Sequence, residues 1–155
     1  MSINSNKKAI GLLFVVAILF ANRAIAEEQS VLTASGSFEV KFEPQEDSVS
    51  VGRMGIDKQY EGELSGTGKG QMLSHREPDA GSAVYVALEH FDGDLSGKEG
   101  GFSLYHVGTM NGSDSSLTVN IIDDSGYGEL EGISGHMSID VREDGHFYTL
   151  TYRMD

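Results

Sequence analysis

The chain has 155 residues, a formal net charge of −13 and no cysteine. That length suits one domain, and the acidity argues against nucleic acid and anionic membrane surfaces as partners. The absence of cysteine excludes disulfides, a cysteine nucleophile and a lipid-bearing cysteine, so an apolar core alone must hold the fold.

The N-terminal stretch reads as a secretory signal peptide over residues 1–26. Lys7 and Lys8 form a positive n-region, Ala9 to Ala21 is an unbroken uncharged run, and Ala24-Ile25-Ala26 is a small-x-small cleavage site before Glu27. The run is too short to span a membrane, so no stable membrane anchor is expected after cleavage. The expected localisation is periplasmic or secreted. Removing this segment takes away Lys7, Lys8 and Arg23 and no acid. Residues 27–155 then form a single domain with eight Lys and Arg against 24 Asp and Glu, a net charge of −16.

The first strand is expected over Leu32 to Glu43. Leu32, Ala34, Gly36, Phe38, Val40 and Phe42 share one face and polar residues the other, the period-two pattern of a half-buried strand. A second strand runs from Arg53 to Leu64, with Met54, Ile56, Lys58, Tyr60 and Leu64 on one row. Thr67 to Glu77 is a weaker third, ended by Pro78-Asp79-Ala80-Gly81. Ser82 to Asp92 is apolar in both rows, Tyr85, Ala87, Glu89 and Phe91 on one and Val84, Val86, Leu88 and His90 on the other. That pattern predicts burial on both sides, against the interior and against another subunit. Gly101 to Met110 and Leu117 to Asp123 are the fifth and sixth strands. The seventh places Ile133, Met137, Ile139 and Val141 inward. Asp144-Gly145 is a hairpin turn before the last strand, His146 to Met154.

One pattern occurs three times between these strands: Gly62-Glu63-Leu64-Ser65-Gly66, Gly93-Asp94-Leu95-Ser96-Gly97 and Gly128-Glu129-Leu130-Glu131-Gly132. Evenly spaced strands with glycine at the corners predict an all-β fold, an eight-stranded antiparallel barrel with room for side chains or one small ligand. Closure also removes exposed edges.

Several ordered motifs then resemble a bacterial family, the "domain of unknown function 3224". They are Arg53-Met54-Gly55-Ile56-Asp57-Lys58, Tyr60-x-Gly62-x-Leu64-x-Gly66, Gly70-x-Met72-Leu73-Ser74, Gly81-Ser82-Ala83-x-Tyr85-Val86-Ala87-x-Glu89, Gly101-Phe102-x-Leu104-x-His106-x-Gly108-Thr109-Met110, and Asp124-Ser125-Gly126-x-Gly128-x-Leu130-x-Gly132-x-x-Gly135. The resemblance covers roughly Thr33 to Arg153. It implies a barrel like those of allene oxide cyclases and dirigent proteins, and it implies no biochemical function.

Lys58, Glu89 and His106 stand in otherwise apolar rows and are the candidate catalytic residues. If those rows face the lumen, three unlike polar groups enter one apolar cavity, the usual appearance of a small-molecule site. With Tyr60, Tyr85 and Tyr148 they are the candidate ligand-binding residues, and Tyr152 is a further tyrosine for the lumen. The same three ionisable residues would equally make an internally satisfied ion-pair cluster. Arg76 is read as a surface residue or a cap on the cavity mouth. No metal is expected, because His75, His90, His136 and His146 lack metal-ligand spacing and the turn acids match no calcium loop. No cofactor is expected either, since Gly66-Thr67-Gly68-Lys69-Gly70 lacks the Walker spacing. The expected function is lumenal binding of a small apolar molecule. The alternatives are an isomerase or cyclase acting on a small hydrophobic substrate, and a non-catalytic assembly module. A homo-oligomer is expected from the doubly apolar strand.

Overall fold

The computed structural model describes residues 30–46 and 48–155; the signal-peptide reading of residues 1–26 lies outside them. The elements are β1 (Leu32–Gln45), β2 (Gly52–Gly62), β3 (Leu64–Glu77), β4 (Ser82–Leu95), β5 (Lys98–Asn111), β6 (Asp114–Ile121), β7 (Tyr127–Gly128), β8 (Ser134–Arg142) and β9 (Gly145–Arg153). Eight of them pair antiparallel in the circle β1-β2-β3-β4-β5-β6-β8-β9, and β9 returns to β1. The barrel expected from alternation is therefore closed. The two-residue β7 is an addition that bridges Gly100 and Gly101 of β5.

The three repeated motifs build one end of the barrel. Their leucines, Leu64, Leu95 and Leu130, are fully buried and plug it. Their acids clamp neighbouring backbone. Glu63 N–H donates to Ser35 O, and its carboxylate accepts from Ser35 N–H at 2.8 Å. Glu129 repeats this against Glu99, donating its N–H to the carbonyl and accepting the N–H on its carboxylate at 3.0 Å. Asp94 instead closes its own turn by accepting from Gly97 N–H at 2.8 Å. The glycines let strands bend and touch. Gly66 and Gly93 face each other with positive φ, and a Cβ on either would collide with the backbone of the opposite strand.

This geometry changes the boundaries at the first two corners. The second strand, expected to reach Leu64, ends at Gly62, and β3 begins at Leu64 rather than Thr67; β4 runs to Leu95 rather than Asp92, and β5 begins at Lys98 rather than Gly101. Extended glycines carry the ladder through a bend that, in sequence, looks like a break. Above the leucine plug lies the aromatic core of Tyr60, Phe91, Phe102 and Tyr148, with Tyr60 edge-on to both Phe91 and Tyr148.

The other end stays open. Pairing of β1 with β9 stops at Phe38–His146, although β1 continues to Gln45. The β6–β8 ladder is the single pair Asn120–His136. β1 thus overhangs the β8–β9 turn, and β8 beyond His136 has β9 alone as a ladder neighbour. Phe42 and Val141, expected inside, are 51% and 68% exposed at this mouth. The expectation that β4 is buried on both faces is corrected within one chain: Val84, Val86 and Leu88 are exposed, because a barrel has one interior and their row faces away from it.

Candidate functional site

Alternation along β2, β4 and β5 sends Lys58, Glu89 and His106 inward at mid-height, between the aromatic core and the open mouth. All three are at most 5% exposed. Glu89 is the hub. Its Oε2 accepts from Lys58 Nζ at 2.7 Å, and its Oε1 accepts from the Tyr60 hydroxyl at 2.7 Å. Lys58 Nζ also donates to the Tyr60 hydroxyl at 3.1 Å and lies 4.7 Å from the centre of the Phe38 ring. His106 Nε2 stands 3.1 Å from Glu89 Oε2, at ion-pairing distance, with its N–H off the line to that oxygen.

Space for this carboxylate comes from a glycine. A Cβ at Gly68, on β3 between Lys58 and Phe91, would collide with Glu89 Oε1. Burial by itself would raise the Glu89 carboxyl, but the neighbouring His106 and Lys58 outweigh it and bring it down to about 2. Glu89 is therefore ionised. The Tyr60 hydroxyl is pushed well above its ordinary range, by burial first and then by the Glu89 charge. It stays a neutral donor.

A cavity of about 340 Å³ opens above this cluster toward the mouth. Its walls include Phe38, Val40, Ile56, Met72, Ala87 and Leu117, and Ile139, Val141 and His146 from the β8–β9 hairpin. Lys58, His106 and Tyr85 of the predicted set line it. The Tyr85 ring lies across Gly108 of β5, which fixes it flat in the wall, and burial raises its hydroxyl pKa. Glu89, Tyr60 and Tyr148 do not line the cavity. Glu89 lies beneath the floor with both oxygens engaged. Tyr148 sits lower still, accepting from Leu64 N–H at 2.8 Å through its hydroxyl. Tyr152 is buried in the core and Arg76 is exposed. His146 stacks on Phe38 with centroids 5.2 Å apart, and its place at the mouth was missed in the sequence because a hairpin-end histidine carries no pattern. Among the described residues no group of three His, Cys, Asp or Glu is placed to hold a metal ion.

The DUF3224 family, described as "protein of unknown function", matches residues 34–152. The chain belongs to this family. Its barrel is similar to the crystal structure of a DUF3224 protein of unknown function from Shewanella oneidensis MR-1. The two share 36% identity and a TM-score of 0.75, over 83% of this chain and 98% of that one. No curated protein matches. Family membership accounts for the fold and leaves the chemistry of the Lys58–Glu89–His106 cluster to be argued from its geometry.

Proposed function

We propose that this DUF3224 protein is an exported barrel that binds a small apolar molecule in its lumen. The cavity carries the reading: it is apolar on its walls, open to solvent at one end, and closed at the other by Lys58 and His106. Its size falls in the range of small-molecule pockets. A proposed kinship with allene oxide cyclase barrels is consistent with a lumenal site. The isomerase or cyclase alternative is weaker, because Glu89, the group expected to move a proton, has both oxygens occupied below the floor. The pattern of residues 1–26 supports export to the periplasm or beyond.

Native mass spectrometry of the full chain expressed in a bacterial host tests this reading. The expected result is a chain beginning at Glu27 that carries a small-molecule mass lost on denaturation. An empty barrel that also fails to take up a neutral naphthylamine probe would overturn the lumenal site.

A second proposal concerns the outer face of β3, β4 and β5. Leu73, Val86 and Val107 lie in one cross-strand row, with Leu88 beside Tyr105 in the next and Val84 above. All six are exposed, Leu88 by 62%. None is charged, on a chain of net charge −13. Two copies of this face can meet without opposing carboxylates, which favours a second copy as the occupant over other surfaces of the same chain. Sedimentation at micromolar concentration is expected to give an oligomer that Leu88→Glu converts to monomer. A monomeric wild type would remove the proposal.

A further inference from the structure

We infer that the lumen recognises an uncharged oxygen function, the hydroxyl or carbonyl of a lipophilic molecule, held by Lys58 and His106. This rests on the lumenal reading above and adds the chemical class of the ligand.

The Lys58 charge on the floor of the cavity is already matched by Glu89. Glu89 sits 2.7 Å from Lys58 Nζ, deep enough that water does not screen the pair. A ligand carboxylate would have to share an ammonium whose charge is already matched, next to a buried carboxylate of the same sign. A ligand ammonium would meet Lys58. Either ion would leave water without a free counter-charge, which is the costly case for burial.

What the floor does have is unused hydrogen-bonding capacity. An ammonium has three N–H donors. Glu89 Oε2 and the Tyr60 hydroxyl take two of those on Lys58. The third is left for an acceptor in the cavity that Lys58 lines. Tyr60 is saturated, donating to Glu89 and accepting from Lys58. His106 supplies the complementary group. An ionised carboxylate can only accept, so the imidazole nitrogen facing it, Nε2, carries the proton. In the neutral ring Nδ1 is then an acceptor. A hydroxyl satisfies both, its oxygen accepting from Lys58 and its proton donated to His106. A carbonyl satisfies Lys58 alone. The apolar walls from Val40, Ile56 and Leu117 accommodate the hydrocarbon part.

The test is displacement of a neutral naphthylamine probe from the full-length protein by five matched ligands: decanol, decanone, decanoate, decylamine and decane. Decanol is expected to bind tightest, with decanone next. Both should exceed decanoate, decylamine and decane by about tenfold, the worth of one well-made hydrogen bond in a buried site. The double variant Lys58→Met/Glu89→Leu removes both charges together and should bind decane and decanone alike, since a carbonyl is held by Lys58 alone. Tightest binding by decanoate or decylamine would overturn the inference while the lumenal site stands. Equal binding of decane and decanol by the wild type would do the same. Failure of all five, with no probe bound, would remove the lumenal reading itself.

Discussion

Replacing Glu89 by leucine will destabilise the protein by about 3–5 kcal/mol, the range found when one partner of a buried ion pair is removed. The Glu89 side chain is fully enclosed and Lys58 nearly so. Without the carboxylate, the Lys58 ammonium is stranded among Phe38, Tyr60 and the cavity wall, and the Tyr60 hydroxyl loses its acceptor. The double variant Lys58→Met/Glu89→Leu should lose far less than the two single losses added together. Urea denaturation of the four proteins in a double-mutant cycle measures this. Strictly additive losses would show that the pair is not coupled.

The same pair sets an acid limb. Glu89 titrates at about 2 in the folded chain against an ordinary 4.5, so on acidification the unfolded chain takes up this proton first. Its contribution, about 3 kcal/mol by linkage, is therefore complete above pH 4.5 and fades as pH falls toward 2. In Glu89→Leu that part of the pH dependence should vanish. An unchanged acid profile would count against the ionised cluster.

Phe91→Ala will cost about 3–5 kcal/mol, as other buried Phe-to-Ala truncations do. Phe91 is fully buried, edge-on to Tyr60 at 5.7 Å between centroids and tilted on Phe102 at 5.2 Å. Its removal opens a void among closed strands that cannot readily collapse, since both neighbouring ladders run continuously through it. Phe91→Leu keeps most of the volume and should lose only about 1 kcal/mol. Chemical denaturation separates the two variants. A loss near 1 kcal/mol for alanine as well would mean that the plugged end repacks freely. Ligand binding at the mouth should survive Phe91→Leu, because Lys58 and the cavity lie on the far side of Tyr60.

The barrel and its central cluster were legible in the chain for a shared reason. Side chains alternate with period two, so Lys58, Glu89 and His106 stand out among apolar neighbours in their rows, although in β4, apolar in both rows, only the closed barrel chose the Glu89 row as the inner one. The repeated Gly-acid-Leu motif was equally visible, and its leucines do form a layer. Its acids were less so: Glu63 and Glu129 act on the backbone of other strands, which no local pattern records. Ladder lengths were not legible either. The seam between β6 and β8 arises where twisted strands diverge at the mouth, and it leaves Val141 exposed despite its inward parity.

Sequence by itself determined that the chain is an all-β barrel, which residues share a strand row, and that three unlike ionisable groups stand in apolar rows. Those properties follow from periodicity and residue type, which are local. Tertiary structure decided which of those groups line the cavity. Pairing of β2 and β4 on the two sides of β3 brought Lys58 and Glu89 together over Gly68, which left room for the Glu89 carboxylate. It then set Glu89 beneath the floor and left Lys58 and His106 at the surface of the cavity. Depth along the barrel axis depends on strand register and on what fills the plugged end, and both are properties of strands distant in the chain.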